Sequence, residues 1–170
     1  MKKIVAMMGL ALIIMCSCQE NDSAKKSDYT GTESVYSLQS GSAYPIDGTV
    51  TFKEKNDGTT DVIVAIKGTE GDVHHPVHLH LGDISTDGAN VAALLNPVFG
   101  ETGISNTHVT MLADETKVSY KDLIKLNACI KVHLSDAGPD KDIILAGGNI
   151  GTAASNATNG RIGIAVCKSE

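Results

Sequence analysis

The chain has 170 residues, which is enough for one domain with its own core and too few for two of ordinary size. Its formal charge of −6 argues against nucleic acid or an anionic membrane surface as the main partner, because both attract basic proteins. The 17 glycines favour a β protein with many turns over a helical one.

Residues 1–18 have the pattern of an export signal. A positively charged start precedes an apolar stretch, residues 4–15, that is too short to span a bilayer comfortably. Ser17 followed by Cys18 resembles the lipobox of bacterial lipoproteins, so we expect cleavage before Cys18 and a lipid anchor on that cysteine. The alternative is a plain secretory signal or a buried helix. As a lipoprotein, the chain would be exported to the outer membrane or cell surface, on the periplasmic or extracellular face.

The polar residues 19–33 predict a flexible tether, and a folded domain is expected over residues 34–170. Within the domain, short alternating segments are separated by turn residues, with a strong hairpin turn at residues 56–58. A short helical turn is expected at residues 121–125. Strands are predicted for residues 48–55, 61–67, 77–81, 107–112, 127–134 and 161–167.

The number and kind of these segments indicate the fold class. Seven or eight antiparallel strands without crossover helices predict an all-β Greek-key barrel or sandwich. Two long connections interrupt the strands, at residues 82–106 and 135–160. Loops of that length in a compact domain usually shape a functional site or are mobile.

Histidines stand at unusual positions on two of the predicted strands. In residues 77–81 the apolar side chains alternate with His78 and His80, so the apolar face packs in the core and both histidines project from the outer face. Side chains two positions apart on one face lie about 7 Å apart, a spacing that one metal ion can bridge. The same alternation in residues 127–134 sends His133 outward. Taken singly, such histidines are more commonly solvated polar residues, and only their combination points to a metal site.

Two of these segments resemble copper-binding segments of the copper/zinc superoxide dismutases. Residues 71–83, GDVHHPVHLHLGD, resemble the segment that holds the family's first two copper histidines, and His75 matches a histidine that the family uses structurally. Residues 130–133 resemble the strand that carries a further copper histidine. The residues that this resemblance assigns to one copper ion are His78, His80 and His133.

The resemblance extends over residues 48–167. Residues 96–97 look like the Asn-Pro of the zinc loop, and residues 146–149 with 159–162 resemble the run that leads to the arginine guiding superoxide to copper. That arginine would be Arg161 here. The resemblance implies superoxide dismutation, with copper alternating between its cupric and cuprous states. The pattern also resembles the CHRD domain, a related exported β module whose members often have no known catalysis.

The zinc half of the family's site is largely missing. Leu94 stands where the resemblance places the histidine that bridges copper and zinc, and no histidine lies between residues 96 and 107. A closed zinc site needs four ligands, so we expect a copper-only site and no zinc. His108 is the candidate for a fourth copper ligand, and its alternative role is that of a solvated strand residue.

If Cys18 is lipidated, the mature chain keeps Cys129 and Cys167. Two cysteines in an exported domain more often form a disulfide than remain free thiols. The family's own cysteines do not align with them, but its seventh and eighth strands are antiparallel neighbours. One register of two such strands pairs Cys129 with Cys167 and also places Arg161 beside His133. The resemblance therefore leads us to expect both the disulfide and this position of the arginine.

The leading functional expectation is copper-dependent dismutation of superoxide by an exported, lipid-anchored domain. Leu94 has no proton to deliver, so turnover would be reduced or would depend on water. One alternative is a non-catalytic copper carrier or buffer that uses the same histidines. The other is a CHRD-like binding or structural module without metal.

Overall fold

The structure is a computed structural model that describes residues 26–87, 89–155 and 164–165. The described residues form eight antiparallel strands that close into one barrel, in the order β1-β2-β3-β6-β5-β4-β7-β8. This confirms the predicted all-β barrel. The strands are β1 (Tyr29–Ser40), β2 (Asp47–Lys55), β3 (Thr60–Lys67), β4 (His74–Leu81), β5 (Val91–Phe99), β6 (Ile104–Val109), β7 (Asn127–His133) and β8 (Ile144–Ile150).

Helical structure is limited to short pieces. A capping box at Ser119 begins α1 (Tyr120–Leu123), close to the predicted helical turn, and α2 (Gly151–Ser155) follows β8 directly. A 3₁₀ turn, Pro139–Asp142, lies in the connection between β7 and β8. Among the described residues, no helix is long and apolar enough to cross a membrane.

The barrel interior is filled by the alternate residues of the strands. On β2 and β3 the fully buried side chains include Val50, Phe52, Val62 and Val64, which is the inward face that the sequence predicts. The inward assignment fails at Leu81, which is the last residue of β4 and is 43 % exposed. At a strand end the barrel no longer covers the inward face, so alternation does not ensure burial.

Three strands escape prediction from the sequence. Burial on β1 alternates from Ser34 to Ser40, but two of the inward residues are serines, so the sequence lacks the apolar alternation that predicts a half-buried strand. The pairing of β4 with β5 is irregular at two points, and β8 contains Gly147 and Gly148, which are typical of a loop. Because β1 begins at Tyr29, the folded part starts before the predicted boundary at residue 34.

β7 is bonded along one edge to β4 and along the other to β8. The expected strand at residues 161–167, the expected Cys129–Cys167 disulfide and the expected position of Arg161 beside His133 involve residues outside the described ones. Cys129 is buried on β7. Cys18, Arg161 and Cys167 lie outside the described residues, as do the predicted signal and residues 19–25 of the predicted tether.

Candidate metal centre

Three histidines converge on the outer wall of the barrel, as the sequence predicts. A possible ligand atom from each of His78, His80 and His133 lies within 4.8 Å of those of the other two. The ring centroid of His78 is 5.7 Å from that of His80 and 4.6 Å from that of His133. Among the described residues, this is the one cluster of three or more histidine, cysteine, aspartate or glutamate ligands close enough for a metal ion.

The convergence follows from the pairing of β4 with β7. Val77 and Leu79 pack in the core, which sends His78 and His80 to the outer face of β4. On β7 the core residues Ile130 and Val132 send His133 to the same face. The two strands are direct neighbours, because His78 pairs with Lys131, only two residues before His133. Neighbouring strands lie about 4.8 Å apart, which brings the three rings together.

The sequence suggested that these rings lie on an open surface, but they do not. His80 is 1 % exposed and His133 is 3 % exposed, while His78 is half-buried. Residues of the β4–β5 and β7–β8 connections line the space beside the rings. A strand face outside the barrel is therefore covered by loops, which alternation along the strand cannot reveal.

Backbone carbonyl groups orient two of the three rings. The Nδ1 atom of His80 lies 2.8 Å from the carbonyl oxygen of Ala89, and that of His133 lies 2.9 Å from the carbonyl oxygen of Lys141. A carbonyl oxygen only accepts, so each Nδ1 carries the proton and donates it. In the neutral ring the lone pair then resides on Nε2, which is the usual arrangement of a metal-binding histidine.

The electrostatics of the cluster keep the rings neutral. Burial, together with the charges that His133 and His80 would carry, lowers the pKa of His78 from its usual 6.5 to about 4. Burial also lowers the pKa of His80 and of His133, although the hydrogen bonds to Ala89 and Lys141 act in the opposite direction. At neutral pH all three rings are thus uncharged bases with a lone pair to offer a cation.

A cavity of about 250 Å³ opens to solvent beside the three rings. Its other charged lining residues are Asp136, Lys141 and Asp142, all from the β7–β8 connection. Asp136 is exposed and Asp142 is half-buried. The cavity therefore admits small solutes to the histidines past two carboxylates and one ammonium group.

Leu94, which stands where the resemblance places the family's bridging histidine, lies beside His78. Leu94 pairs with His78 across the β4–β5 ladder and is 71 % exposed. It lines a second cavity of about 220 Å³ that also contacts His74, Pro97 and Asp136. Within the described residues these groups do not form a second cluster of three metal ligands.

His108 does not join the three histidines, which corrects its expected role as the fourth ligand. It lies on β6, and β5 stands between β6 and β4. Its Nδ1 atom is 2.8 Å from Oδ1 of Asp61, whose Oδ2 accepts a hydrogen bond of 2.5 Å from the hydroxyl group of Tyr29. His108 thus belongs to a separate polar cluster that fastens β1, β3 and β6 together.

Sequence reasoning missed several residues around the metal centre. Lys131 is fully buried on the outer face of β7, although an outward lysine normally predicts a solvated side chain. Asn149 and Asp83 hold the loop after β4, because the Asn149 side chain accepts from the Ile84 amide at 2.8 Å and donates to Asp83 at 2.6 Å. His75, for which the resemblance implies a structural role, is buried, and its Nδ1 atom lies 3.2 Å from the Leu134 carbonyl oxygen, a partner that the sequence does not identify. No pattern along the chain identifies these contacts.

Comparison with models of known protein families and with curated proteins finds no match to this chain.

Proposed function

We propose that this protein binds one copper ion through His78, His80 and His133, as an exported lipoprotein similar in its site to the copper/zinc superoxide dismutases. The observation that carries the proposal is the meeting of three neutral imidazoles from two neighbouring strands, within 4.8 Å of one another. The resemblance in sequence supports copper as the ion and superoxide as the substrate.

The geometry of the cluster fits a copper ion. Metal–imidazole bonds of about 2.0–2.1 Å place three ligands of a trigonal site about 3.5 Å apart, so ligand atoms that lie within 4.8 Å of one another need to close by about 1.3 Å at most. The cluster contains three imidazoles and no carboxylate or thiolate. Imidazole sites bind copper more tightly than zinc by intrinsic affinity. A closed structural zinc site needs a fourth ligand, which no described residue supplies.

Copper held there would supply one-electron redox chemistry for the dismutation of superoxide. The chain's own contribution is to fix two rings in one tautomer, to keep all three uncharged, and to leave one side of the cluster open to a cavity of about 250 Å³. Leu94 carries no exchangeable proton, so the protons that dismutation consumes would come from water. Arg161 keeps the role of attracting the anion as an expectation from the resemblance.

A copper carrier or buffer is the second candidate, and the cavity lining favours it. Within the part of the chain that the structure describes, the charged side chains that line the cavity beside the three histidines are Asp136, Asp142 and Lys141. Two carboxylates attract a metal cation and repel superoxide, which suits loading and release of copper better than capture of an anion. A CHRD-like module without metal remains the third candidate, because the resemblance covers that family as well.

The first experiment measures copper binding by the full chain. We expect one copper ion per protein by metal analysis, and a loss of copper affinity of about hundredfold or more in His78→Ala and in His133→Ala, because each removes one of three ligands. Two variants serve as controls. His74→Ala and His108→Ala remove histidines outside the cluster and should leave copper affinity unchanged.

The outcomes separate the candidates. Unchanged affinity in His78→Ala, or no binding by the unaltered protein, contradicts the proposed site and leaves the metal-free module. If copper binds, a superoxide assay on the copper-loaded protein then distinguishes the enzyme from the carrier.

A further inference from the structure

Lys131 is a buried cation on the wall that carries the metal centre. Its side chain is 0 % exposed, although lysine is among the residues least often fully buried. It lies on the outer face of β7, two residues before His133, and it pairs across the β4–β7 ladder with His78. Directly paired residues on adjacent strands have Cβ atoms about 5 Å apart.

The ammonium group of Lys131 is held by a hydrogen bond to a neutral group and not by an ion pair with a carboxylate. The Nζ atom donates to the carbonyl oxygen of Ala165 at 2.6 Å, and the Ala165 amide donates to the carbonyl oxygen of Ile84 at 3.0 Å. Among the described residues, no carboxylate lies within ion-pair distance of Nζ. A hydrogen bond to a neutral carbonyl group satisfies one N–H but leaves the positive charge in place.

We propose that Lys131 sets the charge preference of the metal centre, so that the three histidines hold cuprous ion in preference to cupric ion. This inference rests on the proposed copper site. The ligands are three uncharged imidazoles, so nothing in the cluster itself offsets the lysine. A buried charge repels a divalent ion twice as strongly as a monovalent ion at the same place, and burial reduces screening by solvent.

Two observations bear on the size of this effect. Lys131 lies two residues before His133 on the same face of β7 and pairs directly with His78 of β4, so its charge is close to two of the three rings. The carboxylates of Asp136 and Asp142 act in the opposite sense and favour the divalent ion. They are exposed and half-buried, so solvent screens them more than it screens Lys131.

The test compares the affinities of the full chain for Cu(I) and Cu(II), each measured by competition with a chelator of known affinity, under anaerobic conditions for Cu(I). Lys131→Met keeps the length and apolar stem of the side chain and removes its charge. We expect it to shift the ratio of affinities toward Cu(II) by roughly tenfold or more. Tenfold corresponds to a reduction potential lower by about 59 mV for one electron, which potentiometry measures independently.

Control variants separate charge from packing. Lys67→Met removes an exposed lysine at the end of β3 and should leave the ratio unchanged. Lys131→Gln retains a donor for the Ala165 carbonyl group without the charge, and should shift the ratio as Lys131→Met does. If Lys131→Met does not fold, this second variant decides.

The possible results lead to distinct conclusions. If both Lys131 variants keep the wild-type ratio while losing stability, Lys131 only fastens Ala165 and the inference is overturned. If neither variant folds, the unaltered protein decides, because a potential no higher than that of the aqueous copper ion contradicts the proposal. If the unaltered protein binds copper in neither state, the proposed function itself fails, which is a different outcome.

Discussion

At the scale of single residues, the three histidines are held in different ways. His80 and His133 are buried and are fixed by backbone carbonyl groups of Ala89 and Lys141. His78 is half-buried, and among the described residues it has no hydrogen bond of its own, although its ring contacts those of the other two. Two ligands are therefore positioned in advance, and the third can turn to complete the coordination of an ion.

Asp61, Tyr29 and His108 form a second polar cluster, which we expect to stabilise the barrel. Although burial raises the pKa of Asp61, the hydrogen bonds from Tyr29 and His108 hold it below its usual value. Asp61→Ala should lower the free energy of unfolding by about 1–3 kcal/mol, because it removes the carboxylate that accepts hydrogen bonds from Tyr29 and His108. Urea denaturation measures this loss.

Asp47→Ala is the matched control, since Asp47 is an exposed aspartate on the neighbouring β2. It should change the free energy of unfolding by no more than about 0.5 kcal/mol. Equal effects of the two substitutions would show that the Asp61 cluster does not stabilise the barrel.

At the scale of elements, β8 closes the barrel by lying between β7 and β1. Gly148 pairs with Ile130 of β7, and a Cβ atom added to it would meet the carbonyl oxygen of Ser37, on β1, far inside van der Waals contact. The glycines that hid this strand in the sequence are therefore what lets β1 approach it. A larger residue there would push the backbone of the two strands apart.

Gly148→Ala tests this role of the glycine. We expect a loss of about 3 kcal/mol in the free energy of unfolding, the upper part of the usual range for overpacking, because the clash is with backbone. Gly31→Ala is the comparison, since Gly31 has φ 89° and open space around it, and alanine there costs only the strain of about 1–2 kcal/mol. A loss in Gly148→Ala no greater than in Gly31→Ala would contradict the close approach of β1 and β8.

At the scale of the whole molecule, the metal centre links stability to pH. The pKa of His78 falls from 6.5 to about 4 on folding, and those of His80 and His133 also fall. Between these values the unfolded chain binds protons that the folded protein does not bind. The stabilisation is therefore fully present above pH 6.5 and is lost as the pH falls toward 4.

Metal-free protein should accordingly have a lower free energy of unfolding at pH 5 than at pH 7.5, as measured by urea denaturation with a chelator present. His78→Gln has no titrating ring at this position and should show a smaller difference between the two pH values. The same pH dependence in both proteins would mean that the ring of His78 is not shielded from protonation in the folded state.

The sequence by itself determined the fold class and the three histidines of the candidate centre. Both depend on alternation along single strands, because two-residue periodicity assigns each side chain to the core or to the outer face. To predict that His78, His80 and His133 converge, it was enough to know that all three face outward and that their two strands are neighbours. Alternation indicated the first, and the resemblance implied the second. The lipid anchor, the copper ion and the reaction remain expectations from sequence.

Only the tertiary structure decided which residues surround those histidines. Lys131 and His108 both face outward by alternation, yet loops bury the first beside the centre, while β5 separates the second from it. β7 pairs with β8, a strand that the sequence does not predict because glycines required by the close approach of β1 obscure it. Burial by loops and the order of strands around a barrel depend on contacts between residues far apart in the chain, and periodicity within one strand contains no information about them.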